Sequence, residues 1–336
     1  MRTLVVRLSS IGDVVHALPA LAALKRHGHS AGWLVEPAAL PLVWDNPALV
    51  YCGRVPPRRA FSWDAARATL RQVRRQRFEV ALDLQGLWKS ALWARFSGAR
   101  RVIGFARADR REPGSARLIQ EQLKQPAEAV HVIDKNLALL RALGIEALGL
   151  REFPLPASEA ERRSVAQGLG VLGLTDFVLL NPGGGWANKR WPAESFGRLA
   201  ARLREQGLSP LVTFGPGEEA LADEVVRASG DAAVRGFGTT LLEFVELARR
   251  ARLVVAADTG PLHIACAVGV PVVGIYGPTD PARNGPFAAA DRVVRRVPTC
   301  APCHKRACPT HDGIMKTIPV EEVLAAAEAR LAAARG

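Results

Sequence analysis

The chain has 336 residues, a mass of 36.1 kDa and a formal net charge of +13. At ~100–200 residues per domain this length predicts two domains, and a hydrophobic fraction of 49% with 23% charged residues excludes a mainly disordered protein. No run of apolar residues reaches the ~20 that a membrane span needs, and Arg7 and Asp13 interrupt the apolar core that a secretory signal would need. We therefore expect a soluble, cytoplasmic protein with no transmembrane segment.

In the first half of the chain, short apolar runs alternate with helical patterns. The sequence predicts strands at 3–7, 32–36, 78–84 and 101–104, and helices at 13–25 and 88–96. Pro19 lies inside the first helical pattern, which predicts a kink or a short first segment. Alternation of this kind is typical of a parallel sheet covered by helices on both faces.

The positive charge is concentrated within this first half. Residues 54–117 carry 16 basic and five acidic side chains, a net charge of +11. Such a cluster is either a solvated face or a surface that attracts nucleic acid, anionic lipid, or a substrate with phosphates and carboxylates. Because no helix-turn-helix, zinc-finger, RNP or KH signature accompanies the charge, nucleic acid is the weaker choice and we expect no nucleic-acid partner.

A break at 151–176, which contains two prolines, a charged helix-like stretch and several glycines, predicts a linker, after which the alternation starts again. Strands are predicted at 177–180, 210–214, 253–256 and 272–276, and helices at 193–205, 217–228, 241–250, 261–268 and 321–334. The expected fold class is therefore α/β, with Rossmann-like domains at 1–160 and 170–315 and a final segment, 316–336, packing back toward the first domain. We expect the two parallel sheets to face each other across a ligand-binding cleft.

The loop after the first strand, Ser9-Ser10-Ile11-Gly12-Asp13, can carry chemistry because open α/β sheets bind ligands at the carboxyl ends of their strands. Asp13 falls at the start of the first helix. It is there either as a cap that interacts with the helix dipole or as a carboxylate that acts as a general base on a hydroxyl group.

Two further loops have the features of phosphate-binding turns. Gly183-Gly184-Gly185 lies between a strand and a helix and permits close backbone approach to a phosphate, with Lys189 as the counter-charge. The sequence is neither a Walker A loop nor GxGxxG, and the alternative is a plain flexible loop. In the second loop, Asp258-Thr259-Gly260-Pro261, backbone N–H groups at a helix start would form an anion site. Asp258 could instead be a helix cap, and His263, which follows on an apolar helix, could be a core histidine.

Together these motifs resemble the bacterial lipopolysaccharide heptosyltransferases, the family-nine glycosyltransferases of the GT-B fold. The resemblance rests on LSSIGDVVHALPAL at 8–21, KRWP at 189–192 and DTGPLHIACAVGVPVVGIYGPTDP at 258–281, and it covers essentially the whole chain. The segments LDLQGLWKSAL at 82–92 and RREP at 110–113 look more like heptosyltransferase I than heptosyltransferase II.

The resemblance implies a role for each loop, with the acceptor bound by the first domain and the nucleotide-sugar donor by the second. Asp13 occupies the position of the catalytic base. Positions implied for the donor are Gly184, Gly185, Lys189, Glu219, Thr239, Asp258, Thr259, Gly260 and His263. Positions implied for the acceptor are Ser10, Gly12, Arg58, Arg59, Lys89 and Arg111. The chain departs from its relatives at Gly184 and Gly185, where Thr is frequent, and at Thr239, where Met can occur near the adenine.

The implied reaction is inverting transfer of L-glycero-D-manno-heptose from ADP-heptose to a Kdo residue of Kdo-lipid A, at the inner face of the inner membrane. The resemblance implies no cofactor and no divalent metal, and the sequence has no DxD pair for one. The alternatives are heptosyltransferase II, another ADP-sugar transferase of this fold, or a non-catalytic anion-binding protein of the membrane surface. A dehydrogenase is disfavoured because GxGxxG followed by an acidic residue is missing.

The resemblance to the heptosyltransferases assigns no function to a cysteine-rich segment near the C-terminus. Cys300, Cys303, Cys308 and His311 have ligand types and spacings that could hold Zn²⁺. The alternative is a turn-rich loop with reduced thiols, since disulfides are disfavoured in a reducing compartment. The resemblance gives this segment no metal role.

Overall fold

The computed structural model describes residues 1–57, 60, 62–301 and 313–334, and it divides the chain into two compact units, Met1–Pro156 and Ala157–Gly336. The predicted boundary near residue 160 lies within a few residues of this division. The predicted linker at 151–176 is too long, because a helix of the second unit occupies residues 159–171.

The first unit is built on a six-stranded sheet in which all neighbouring strands are parallel. Its spatial order is β3-β2-β1-β4-β5-β6, so the chain runs outward from β1 in one direction and then crosses over to the other side. The strands are β1 (Arg2–Val6), β2 (Ser30–Val35), β3 (Leu49–Arg54), β4 (Val80–Asp83), β5 (Arg101–Phe105) and β6 (Glu121–Leu123).

Helices join these strands, and short 3₁₀ turns complete the connections. The helices are α1 (Ile11–Val15), α2 (Leu18–Arg26), α3 (Trp63–Arg75), α4 (Trp88–Phe96) and α5 (Val132–Ala138). The single helical pattern predicted around Pro19 is divided into α1 and α2, with Pro19 in the first turn of α2. Proline is tolerated there because the N–H that it lacks would have no intrahelical partner.

The second unit repeats this architecture with the spatial order β12-β11-β10-β7-β8-β9, again with all strand pairs parallel. The strands are β7 (Val178–Asn181), β8 (Pro210–Val212), β9 (Val234–Arg235), β10 (Leu253–Ala257), β11 (Val272–Tyr276) and β12 (Arg292–Arg295). The central strands β7, β10 and β11 are buried along their whole length, as expected for a parallel sheet covered on both faces.

The helices of the second unit are α6 (Glu159–Val171), α7 (Ala193–Glu205), α8 (Glu219–Ala228), α9 (Leu241–Arg250), α10 (Gly260–Ala267), α11 (Pro281–Asn284) and α12 (Val320–Ala332). Of these, α7 and α9 have the bounds that the sequence predicts, because a continuous apolar stripe and clear flanking signals define both ends. The short strands β9 and β12 were not predicted.

The final helix packs within the second unit, where α12 contacts α7, β11 and β12. That the segment 316–336 also packs back toward the first domain stays a prediction. Val323, Leu324 and Ala327 are buried in the same hydrophobic cluster as Phe196 and Val255. The apolar face of α12 thus completes the core of the unit that precedes it in sequence.

Glycine permits a close approach of two helices in this core. A Cβ added to Gly197 in α7 would lie 2.6 Å from the Ala228 Cβ and 2.7 Å from the Ala228 carbonyl carbon. We expect Gly197→Ala to lower the free energy of unfolding by about 1–3 kcal/mol, because backbone of the neighbouring helix has to move. Urea unfolding followed by circular dichroism would measure this change.

Gly170 in α6 is the matched control, since a Cβ added there meets nothing within 4 Å. Gly170→Ala should raise the free energy of unfolding by up to about 1 kcal/mol, because alanine loses less backbone entropy than glycine in a helix. Equal effects of the two substitutions would contradict the close packing of α7 on α8.

Within the described ranges, no helix is both long enough and apolar enough to cross a membrane.

Candidate functional site

In the first unit, the loop after β1 holds Asp13 at the third position of α1. Its Oδ2 accepts hydrogen bonds from the Ser10 backbone N–H, 3.1 Å away, and from the Ser10 hydroxyl, 3.0 Å away. Its Oδ1 forms an ion pair with the Arg7 guanidinium. The carboxylate is therefore a helix cap as well as a charged group at the carboxyl end of a strand, and 33% of its side chain remains exposed.

Arg7 links this carboxylate to the interior of the sheet. Its side chain is 6% exposed, and it also donates to the Leu84 carbonyl at the end of β4. The Arg7 carbonyl in turn accepts a hydrogen bond from the buried indole of Trp33, at 3.1 Å. Asp13 thus has a fixed cationic neighbour, which the sequence analysis did not identify.

A second cluster joins the same loop to the carboxyl ends of β2 and β4. The Lys89 ammonium lies 2.8 Å from the Ser9 hydroxyl and 2.8 Å from the Glu36 carboxylate. The Gln85 side chain accepts from the Leu8 N–H and donates to the Ser9 carbonyl. The structure therefore brings Ser10, Gly12, Asp13 and Lys89 of the predicted set to one edge of this sheet.

Arg110, which precedes the predicted Arg111, forms a buried ion pair at the same edge. Its guanidinium lies 2.5 Å from the Asp83 carboxylate, and both side chains are fully buried. Asp83 also accepts backbone N–H groups of Gln85 and Gly86, which fixes the turn before α4. Arg111 itself is exposed. The sequence alone did not distinguish the buried arginine of RREP from the exposed one.

Arg58 and Arg59 lie outside the described residues, as do Cys303, Cys308 and His311. Cys300 is described and is an exposed free cysteine. In the part of the chain that the structure describes, no group of three His, Cys, Asp or Glu side chains could hold a metal ion.

In the second unit, Asp258 follows β10 and is the centre of a polar cluster. Its Oδ2 lies 2.5 Å from the Lys189 ammonium, and its Oδ1 lies 3.1 Å from His263 Nε2 and 2.7 Å from Asn284 Nδ2. The Lys189 side chain is 16% exposed and that of Asp258 is 2% exposed. Lys189 also lies over the Trp186 ring, 4.7 Å from its centroid.

The polar groups around Asp258 determine whether its carboxyl group is ionised. Burial alone would raise its pKa, but the hydrogen bond from His263 and the positive charge of Lys189 outweigh burial and hold the pKa of Asp258 well below its usual range. A buried aspartate therefore stays ionised and keeps Lys189 in one position. His263 is a hydrogen-bond partner of this carboxylate rather than an isolated histidine of the core.

Glu218 holds the glycine-rich loop in place, whereas the sequence motif indicates the adjacent Glu219. The Glu218 carboxylate accepts the backbone N–H of Gly184 at 2.9 Å and that of Gly215 at 3.0 Å. Arg190 donates to the Gly184 carbonyl at 2.7 Å and lies 3.5 Å from Glu218. A Cβ on Gly183 would lie 2.0 Å from the Glu218 carboxylate, so a larger residue at this position would displace the side chain that holds the loop.

An open groove of about 330 Å³ lies at the carboxyl end of β8. Its walls are Phe214, Gly215, Pro216, Glu219, Gly238, Thr239, Thr240 and Glu243. The predicted residues Glu219 and Thr239 thus line one groove. Gly185 is exposed in the glycine-rich loop, and Thr259 and Gly260 begin α10 directly after Asp258.

The low pKa of Asp258 predicts a pH dependence of stability. Because folding depresses this pKa, its contribution to stability is complete above the unfolded value of about 4 and is lost as the pH falls toward the folded value. We expect the free energy of unfolding of the unmodified chain to decrease as the pH falls below ~4. In Asp258→Asn, the free energy of unfolding should change less steeply with pH. Urea titrations at several pH values would measure both slopes.

Asp176→Asn is the matched control, since that carboxylate is 59% exposed and pairs with Arg252 at the surface. Its slope should equal that of the unmodified chain. Equal slopes for the unmodified chain and Asp258→Asn would contradict the ionised, buried state of Asp258.

Comparison with known proteins gives consistent results. Residues 66–313 match the model of glycosyltransferase family 9 (heptosyltransferase). Lipopolysaccharide heptosyltransferase 1 of Pseudomonas aeruginosa is 31% identical over 327 residues, which cover 92% of this chain and 87% of that protein. Lipopolysaccharide heptosyltransferase 1 of Escherichia coli K12 is 29% identical over 311 residues, 88% of this chain and 93% of the relative.

Two solved structures have the same fold. E. coli heptosyltransferase WaaC with ADP superposes with a TM-score of 0.74 at 21% identity, covering 99% of this chain and 100% of that one. E. coli ADP-heptose lipopolysaccharide heptosyltransferase II superposes with a TM-score of 0.78 at 21% identity, covering all of both chains. Together with the two six-stranded parallel sheets, these similarities confirm the predicted α/β fold class, that of the GT-B glycosyltransferases.

Proposed function

Since the chain belongs to glycosyltransferase family 9, the heptosyltransferase family, we propose that it transfers L-glycero-D-manno-heptose from ADP-heptose to a Kdo residue of Kdo-lipid A. The observation that carries the proposal is the Lys189–Asp258 pair beside the start of α10. A buried, ionised carboxylate fixes an ammonium group next to helix N–H groups, and this combination stabilises a leaving diphosphate.

The donor is bound by the second unit. The groove that contains Glu219 and Thr239 takes the nucleoside, with the Glu219 carboxylate as acceptor for ribose hydroxyls. The diphosphate lies against the glycine-rich loop and the start of α10, with Lys189 as its counter-charge. Because Gly184 and Gly185 have no hydroxyl groups, backbone N–H groups take the place of the threonine contacts expected in relatives. Asp258 is proposed to contact the heptose, and His263, whose Nε2 lies 3.1 Å from the Asp258 carboxylate, holds that carboxylate in place.

In the reaction, Asp13 accepts the proton of a Kdo hydroxyl while that oxygen attacks the anomeric carbon of the heptose. The bond to ADP breaks, and the configuration inverts in one displacement through an oxocarbenium-like transition state. Exposure of one third of the Asp13 side chain supports access to this proton, and the Arg7 guanidinium stabilises the negative charge that the base carries before the transfer. We propose that no divalent metal and no other cofactor takes part.

The acceptor is bound by the first unit. Lys89, Arg111, Arg58 and Arg59 are proposed to contact its phosphates and carboxylates. Ser10 and Gly12 are proposed to flank the place where the acceptor meets the donor. The basic segment 54–117 supports this assignment because it attracts anionic groups. The proposal includes peripheral association with the inner face of the inner membrane, where a lipid-anchored acceptor lies.

A transfer assay tests the proposal. Purified protein is incubated with ADP-heptose and either Kdo-lipid A or an already heptosylated core, with and without EDTA. Transfer to Kdo-lipid A that EDTA leaves unchanged is expected. Transfer only to the heptosylated core would favour the activity of heptosyltransferase II. Loss of transfer with EDTA would contradict the metal-free mechanism. No transfer from any ADP-sugar would favour a non-catalytic anion-binding protein.

A further inference from the structure

Helix α4 carries an exposed apolar stripe that the proposed chemistry does not use. Trp88, Leu92 and Phe96 are 43%, 42% and 48% exposed, although large apolar side chains are usually buried. Their spacing of four residues places them on one face of the helix, over a length of about 12 Å. Exposed apolar residues that occur singly need no explanation, whereas a contiguous patch of this kind marks an interaction surface.

The orientation of this stripe is fixed by the opposite face of α4. Ser90, Ala91 and Ala94 are buried there, and the small alanines lie in the same hydrophobic cluster as Leu4 and Ala81 of the sheet. Turning Leu92 or Phe96 inward would require space that this packing does not leave. The packing of α4 on the sheet, and not the choice of side-chain rotamer, therefore keeps the stripe exposed.

Basic side chains flank the stripe at both ends. At the C-terminal end, Arg95 and Arg100 are exposed, and Arg74 donates to the Phe96 carbonyl at 3.0 Å. At the N-terminal end, Glu112 accepts the Trp88 backbone N–H at 2.6 Å, and the adjacent Arg111 is exposed. Exposed aromatic and apolar side chains beside cationic ones can enter the interface of an anionic membrane, as they do in interfacial helices.

We propose that the Trp88–Leu92–Phe96 face of α4 docks the protein on an anionic phospholipid surface. The apolar side chains enter the boundary between headgroups and acyl chains, and the flanking arginines neutralise lipid phosphates. The choice of a membrane as the binding partner rests on the proposed function, since a lipid-anchored acceptor lies in a membrane. The stripe favours lipid over a second copy of the chain because its border has a net positive charge, with Arg74, Arg95, Arg100 and Arg111 against Glu112, and two such borders would repel each other.

Vesicle binding tests the proposal without any acceptor or donor. The protein is sedimented with vesicles of phosphatidylcholine and phosphatidylglycerol and, separately, of phosphatidylcholine alone. Binding only to the anionic vesicles is expected. The double variant Leu92→Ser with Phe96→Ser should partition about tenfold less, because two apolar side chains no longer enter the interface. Arg95→Gln with Arg100→Gln should also weaken binding and reduce its dependence on salt.

The matched control is Val171→Ser with Val297→Ser, which removes two apolar side chains that are 82% and 60% exposed in the second unit. This variant should bind vesicles as the unmodified protein does. Equal binding by the stripe variant and the control would overturn the proposal. A concentration-dependent dimer that only the stripe variant dissociates would also overturn it, since the stripe would then be a protein interface.

Transfer to a soluble, lipid-free Kdo acceptor separates this inference from the proposed function. The stripe variant should keep the rate of the unmodified protein with that acceptor and lose rate only with vesicle-borne Kdo-lipid A. If no variant transfers heptose at all, the proposed function fails, whereas the vesicle-binding result still decides whether α4 docks on lipid.

Discussion

Replacing Asp13 by asparagine is expected to lower the rate of heptose transfer by about 10²–10⁴-fold, the contribution typical of a general base. Asparagine can keep the hydrogen bond from the Ser10 backbone N–H, which Asp13 accepts at 3.1 Å. It cannot accept the proton of the Kdo hydroxyl. The loss should therefore fall on kcat, while ADP affinity, measured by calorimetry, stays unchanged.

Asp64→Asn is the control for this experiment. Asp64 is an exposed carboxylate in the first turn of α3, and its side chain is 96% exposed. Its replacement should leave the transfer rate within twofold or so of the unmodified value, as for most surface substitutions. Near-normal turnover of Asp13→Asn would exclude Asp13 as the base and leave it as a cap and ion-pair partner of Arg7.

Replacing Lys189 by methionine is expected to have the second large effect, with two separate components. Loss of the charge that meets the diphosphate should reduce kcat/KM for ADP-heptose by about 10²–10³-fold. Loss of the ion pair leaves the buried Asp258 carboxylate without its cation, which should lower the free energy of unfolding by about 3–5 kcal/mol. Steady-state kinetics and urea unfolding would measure the two components.

Lys316→Met provides the comparison, since Lys316 is an exposed lysine of the second unit. It should change neither quantity appreciably. A Lys189→Met protein that unfolds earlier but keeps its kcat/KM would show that Lys189 serves stability alone, and the role proposed for it at the diphosphate would then be wrong.

The alternation of strands and helices could be predicted because local patterns define it. Helices α4, α7 and α9 have the predicted bounds. In α7 and α9, a clear apolar stripe explains the agreement. The edge strands β3, β6, β9 and β12 are not predicted, because few of their residues are buried and no continuous apolar run is needed there. Helix α6 falls within the predicted linker, and only Val165 and Leu169 of its residues are buried.

The candidate site could be predicted only in part. The motifs identified Asp13, Lys189, Asp258 and His263, and the last three meet in one cluster. The signals for Arg7, Glu218 and Asn284 are weak, because an arginine, a glutamate or an asparagine next to a motif has many surface roles. Their contacts with Asp13, Gly184 and Asp258 become visible only after the loops are folded.

The α/β class, the two-unit organisation and the family can be read from the sequence, because hydrophobic periodicity and loop motifs are properties of short segments. Which charges become partners depends on the folded structure. Lys189 and Asp258 are 69 residues apart in the chain, and Asp83 and Arg110 are 27 residues apart. Such pairs form because parallel strands bring the ends of distant segments to one edge of a sheet, where burial selects the partner of each charge.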